Sequence, residues 1–152
     1  MPNARINYTK VAPEPYRLQS EIKKWLDSAD IDQRLRHILD VRVSQINGCA
    51  LCLDIHAREA RESGVTQQIL DVLPAWREAP MLFTDAERAA LDWAEALTLM
   101  PERGAHDAQF NPLREHYTES QIVALTWAIL AMNTWNRLAV GFGFNPRPRS
   151  AP

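Results

Sequence analysis

Apolar residues recur along this chain three and four apart, the spacing of a helix face, and convincing period-two alternation is absent. Leu18, Ile22, Trp25 and Leu26 mark one face of a helix over 16–28. Leu35, Ile38, Leu39, Val43 and Ile46 mark a second, with Arg42 falling inside the same pattern. Asp30 or Asp32 is placed to cap that second helix, and the Asn47-Gly48 dipeptide is turn chemistry that ends it. A third helix carries polar residues on its outer face and stops at Gly64, a typical residue just past a helix end. A shorter helix is expected over 66–76. Thr84 with Glu87 and Thr118 with Gln121 are capping-box pairs. The first precedes Ala89, Leu91, Trp93, Ala94 and Leu97; the second precedes a long apolar segment ending near Val140. The pattern predicts an all-α helical bundle, one domain over residues 1–152. Pro13 and Pro15 suggest an irregular N-terminal arm over 1–15, and the Pro/Arg-rich residues 145–152 a mobile tail.

At 152 residues and 46% apolar, the chain suffices for one well-formed core. A net charge of −2 gives no electrostatic case for nucleic acid or an anionic membrane as partner. The longest apolar stretch, from Ile122 to Met132, is far below a membrane span. The opening residues lack the apolar centre of a secretory signal, so a reducing, cytoplasmic location is expected. Trp93, Trp127, Trp135, Phe142 and Phe144 sit among alanines and leucines, a setting that favours core or subunit interface over a ligand pocket. Arg137 falls in an otherwise apolar segment and is expected to meet a carboxylate such as Asp40 or Asp54.

Chemistry concentrates in CALCLDIH, which holds Cys49, Cys52 and His56 and uses both cysteines of the chain. At about 100° per helical residue, the two thiols lie roughly 60° apart with His56 on the same face. Position after a turn suggests that the cysteines open a helix, where the dipole favours a thiolate. His56 can take or return a proton near neutral pH. If the chain reverses at Asn47-Gly48, His56 lies opposite position 37 or 38, which makes His37 a candidate proton relay. A redox-active dithiol is the leading reading, and it requires no cofactor.

The run from Leu35 to Gly64, LRHILDVRVSQINGCALCLDIHAREARESG, together with NTWNRLAVGF from Asn133 to Phe142, resembles the carboxymuconolactone decarboxylase superfamily in its alkylhydroperoxidase D-like (AhpD-like) branch. The resemblance implies a helical subunit that assembles into homotrimers or homohexamers. It also implies a thiol-dependent peroxidase that reduces a hydroperoxide and is regenerated by a thiol or dithiol protein. Cys52 would attack the peroxide, Cys49 would resolve it, and the family's basic histidine maps onto His56. Two positions depart from the family pattern. Its relay glutamate falls on His37, which cannot supply a standing negative charge to His56, and a histidine often found before the second cysteine is Leu51. The decarboxylase branch generally lacks the CxxC pair, which disfavours lactone chemistry.

Two other readings compete. Cys49, Cys52, His37 and His56 would make a Cys₂His₂ metal set if all four converged tetrahedrally. Alternatively the thiols are small buried core residues of a noncatalytic helical oligomer.

Overall fold

The computed structural model describes residues 4–148. It is all-helical, as the pattern predicts: nine α-helices and two short 3₁₀ segments are present, with no strand among the described residues. In order the helices are α1 (Tyr8–Val11), α2 (Pro13–Ser28), α3 (Gln33–Ile46), α4 (Ala50–Glu62), α5 (Gln67–Val72), α6 (Asp85–Thr98), α7 (Met100–Arg103), α8 (Asp107–His116) and α9 (Glu119–Phe142).

The helix starts follow their side chains. Asp32 caps α3 by accepting from the Arg34 N–H, and Thr84 and Thr118 close full capping boxes with Glu87 and Gln121. Two segments differ from the sequence expectation. The arm is not irregular throughout, because Tyr8–Val11 is helical and Pro13 begins α2. Proline lacks only an N–H that the first turn leaves unpaired anyway. The helix expected over 66–76 becomes 3₁₀ at Leu73, where Pro74 cannot donate and Ala75 leaves helical geometry. Residues 107–116 form α8 despite Pro112. Of the proposed tail, residues 149–152 lie outside the described residues.

Helix α3 is the centre of the packing and contacts α4, α6 and α9. Its Ile38, Leu39, Val41 and Val43 are at most 2% exposed and meet Leu91 of α6 and Leu125 and Ile129 of α9 in one apolar cluster. Each such side chain contributes about 1.5–3 kcal/mol on full burial, so α3 is fixed before any site chemistry is considered. No helix among the described residues is long and apolar enough to cross a membrane.

Candidate active site

The turn between α3 and α4 builds the dithiol. Gly48 takes φ +64°, where a side chain is strained, although a Cβ there would meet nothing within 4 Å. Glycine is therefore needed for conformation, not space. Cys49 follows in extended geometry and is the N-cap of α4, its sulfur accepting from the Cys52 N–H at 3.3 Å. The two cysteines thus do not share a helical face as expected; a cap residue must leave helical dihedrals. Cys52 lies in the first turn, the Cα atoms are 5.3 Å apart, and the sulfurs are joined as a disulfide.

A polar clamp from α9 holds this turn. The Asn47 side-chain amide donates to Asn133 Oδ1 and Asn136 Oδ1, both at 3.0 Å. Asn136 donates to Ser44 Oγ, which donates to the Asp40 carbonyl, and the Cys49 N–H donates to the Ser44 carbonyl. The NGC and NTWN segments are thereby two halves of one hydrogen-bonded unit. Arg137 is exposed and donates back to Asn133, so its charge needs no buried carboxylate.

Beside the disulfide opens a cavity of about 350 Å³, lined at its polar end by Cys52, His37, Asp40, His56 and Glu59. Tyr8, Tyr16, Met132, Trp135 and Phe144 supply much of its apolar and aromatic wall, and Lys23 and Arg36 also line it. Two of the aromatic residues assigned to core or interface therefore face a cavity, while Trp93 is buried and Trp127 is 45% exposed. The N-terminal arm forms part of the wall. Arg5 N–H donates to the Phe142 carbonyl, and the Tyr8 ring stacks on Phe142 at 5.0 Å. Cys52, 5% exposed, lines the cavity, and Cys49, 1% exposed, does not.

His37 and His56 come together across α3 and α4, joined by two carboxylates that the sequence reading did not assign to the site. The His56 Nδ1 pairs with Glu59 Oε2 at 2.8 Å, and Asp40 Oδ2 is 4.0 Å from the same nitrogen. Glu59 Oε2 is also 4.0 Å from His37 Nδ1. Two carboxylates thus stand beside His56, one at position 59 on its own helix and one at position 40 on the facing helix α3. The i, i+3 spacing of His56 and Glu59 is the sequence signal that could have revealed the first. Burial raises the Asp40 carboxyl above its usual range, opposed by His56, Arg36 and His37. Burial lowers His37, opposed by Asp40 and Glu59.

The Cys₂His₂ set is not what the structure brings together. The sulfurs are bonded to each other, and the cluster with ligand atoms within 4.8 Å of one another among the described residues is His37, His56 and Glu59.

Fold and site together define a helical protein with a CxxC pair at the head of a helix, its second sulfur facing a cavity. The chain belongs to the carboxymuconolactone decarboxylase family, which it matches over residues 17–96. It is 37% identical over 139 residues to the uncharacterized protein YdfG of Bacillus subtilis, covering 91% of this chain and 94% of that one. A crystal structure from Agrobacterium tumefaciens, of a protein of unknown function provisionally assigned to antioxidant defence as AhpD, superposes with a TM-score of 0.89. That protein is 41% identical, and the match covers 96% of this chain and all of the other. A peroxidase-related protein from Ralstonia eutropha, with an alkylhydroperoxidase AhpD core, shares the fold at a TM-score of 0.77 and 22% identity; the match covers 91% and 74% of the two chains. The fold is that of AhpD-like proteins.

Proposed function

We propose that the protein is a thiol-dependent peroxidase that reduces hydroperoxides through the Cys49/Cys52 couple. The observation that carries this reading is the unequal placement of the two cysteines, Cys52 on the cavity wall with His56 and Cys49 away from it. The Cys52 thiolate attacks the distal peroxide oxygen and breaks the O–O bond, and the alkoxide leaves as alcohol with a proton from His56. The product is a sulfenic acid. Cys49 attacks that sulfur, water leaves, and the disulfide forms. Two electrons pass from the thiols to the peroxide, and an external thiol or dithiol protein in the cytoplasm returns them.

Charged His56 favours the thiolate. Glu59 accepts a hydrogen bond from its Nδ1 and holds the ring, with His37 as a proton relay on the cavity wall. The provisional assignment of the Agrobacterium relative to antioxidant defence agrees with this chemistry. No cofactor is required by it.

Cys49→Ser should let peroxide form a trappable sulfenic acid on Cys52 without a disulfide, and Cys52→Ser should abolish reaction with peroxide. Mass spectrometry of the intact subunit reads both, and unreactive thiols in the native chain would end the peroxidase reading. The subunit is further proposed to assemble as a homotrimer or homohexamer. Val123, Trp127 and Leu130 form an exposed stripe along α9, each at least 42% exposed. Light scattering should give at least three subunit masses, and a monomer at micromolar concentration would contradict the assembly.

A further inference from the structure

The three side chains at the polar end of the cavity carry a second chemistry. Two come from one helix at i and i+3, His56 and Glu59 on α4, and the third, His37, faces them from α3. Helical bundles build metal centres in this way, from inward side chains on facing helices. Two imidazoles and one carboxylate form the ligand set of open zinc sites, in which a fourth position is left to water or substrate.

The ring nitrogen of His37 gives an independent observation. Nδ1 is buried and has no hydrogen-bond partner, a costly condition for a polar atom. The nearest acceptor recorded for it is Glu59 Oε2 at 4.0 Å. Ligand atoms around a tetrahedral zinc ion lie about 3.3 Å apart, given bonds of about 2.0–2.1 Å. The His37–Glu59 separation must therefore close by less than about 1 Å, and the His56–Glu59 contact must open by about 0.5 Å. Both are side-chain movements on two firmly packed helices.

The surrounding charge is suitable. Asp40 stands behind His56 at 4.0 Å, the place of an outer carboxylate that orients a ligating histidine. The two cations on the cavity wall, Arg36 and Lys23, are both paired with Asp27, at 2.6 Å and 3.3 Å. The three ligand side chains are 14–34% exposed and line the cavity, so an ion has a way in.

We propose that His37, His56 and Glu59 bind one divalent transition-metal ion of the zinc class between α3 and α4. On the peroxidase reading above, the bound ion also inhibits the couple, because it replaces the Nδ1 proton of His56 and takes its Glu59 partner, so that the imidazolium cannot form.

The test uses the full chain without an affinity tag, in its disulfide form, so that neither sulfur can be a thiolate ligand. Titration calorimetry should find one zinc ion per subunit, and Co²⁺ should give d–d absorption bands with no thiolate charge-transfer band. His37→Gln and Glu59→Gln should each weaken binding at least about tenfold, the low end of what even an outer-shell partner is worth. Circular dichroism checks that each variant is folded. In the reduced protein, Zn²⁺ should slow thiol oxidation in the native chain and lose that effect in His37→Gln.

Failure of the disulfide form to bind Zn²⁺ would overturn the site, as would unchanged affinity in folded His37→Gln. Binding confined to the reduced protein, with a charge-transfer band, would overturn it in favour of a thiolate site. Zinc binding by the disulfide form of a chain that never reduces peroxide would leave the metal site standing and remove the peroxidase reading, so the two can be told apart.

Discussion

Asp40 of α3 and Glu95 of α6 are carboxylates buried to the same depth, 4% and 3% exposed, on helices that pack against each other. Their surroundings are opposite. Glu95 accepts hydrogen bonds from Trp76 Nε1 at 2.8 Å, Arg42 Nε at 2.9 Å, Arg77 Nη1 at 2.5 Å and Arg103 Nη1 at 2.6 Å. Asp40 has Arg36 Nε and His56 Nδ1 at 4.0 Å, ion-pair distance but too long for a hydrogen bond. Burial would raise Glu95, but the donors from Trp76, Arg77 and Arg42 outweigh it and hold the carboxyl at about 2. At Asp40 burial prevails and the carboxyl is raised. Burial alone therefore does not separate a framework group from a site group. The number of donors aimed at the oxygens does, because only donors offset the loss of water.

Glu95 should be the larger loss. Glu95→Gln keeps an acceptor for Trp76 but leaves the arginines without their shared charge. Breaking a buried ion pair costs about 3–5 kcal/mol, and urea unfolding at pH 7 should show a loss on that order. The acid limb sharpens the contrast. Glu95 has a folded pKa below its unfolded value, so its stabilisation is fully present above about 4.5 and is lost as pH falls toward about 2. The shift corresponds to roughly 3 kcal/mol, and the variant should lack that portion of the native chain's acid sensitivity. A loss below about 1 kcal/mol, with the acid limb unchanged, would mean that the network is ornamental and the contrast with Asp40 empty.

Neither carboxylate's role could be read from the chain, and the reason is the same for both. Glu95 draws its donors from α3, α7 and the 3₁₀ segment before α6, and Arg42 had been read only as one position of the α3 pattern. Asp40 and Glu59 look like ordinary polar positions until α3 and α4 are laid together. Information that is local in sequence was legible. Thr84 and Thr118 announce their helices because a cap acts on residues two and three along, and Cys49, Cys52 and His56 sit within eight residues. Pro13 and Pro15 misled because proline disrupts a helix interior but suits its first turn, where both stand.

The smaller effect, on stability, belongs to Asp40→Asn. Because the folded-state pKa of Asp40 is raised, the folded chain binds the extra proton as pH rises past the unfolded value near 3.8. Its contribution is therefore a stability that falls through that window, the reverse of Glu95. Asparagine removes this penalty, and Arg36 keeps its partner Asp27. Unfolding at pH 7 should shift by no more than about 1 kcal/mol in either direction, the range of a side chain with no strong hydrogen bond to lose. The chemistry should respond instead. Asp40 is the second carboxylate beside His56, after Glu59, and its loss should slow thiol oxidation. With Glu59 still bonded at 2.8 Å, the rate at neutral pH should fall by less than about tenfold, below the usual worth of a direct acid–base group. Stopped-flow measurement of peroxide-driven thiol loss across pH 5 to 9, on a variant whose denaturant midpoint is unchanged, separates the two roles. If Asp40→Asn costs more than about 2 kcal/mol and leaves the oxidation rate unchanged, Asp40 is framework like Glu95, and donor count fails as the criterion that divides them.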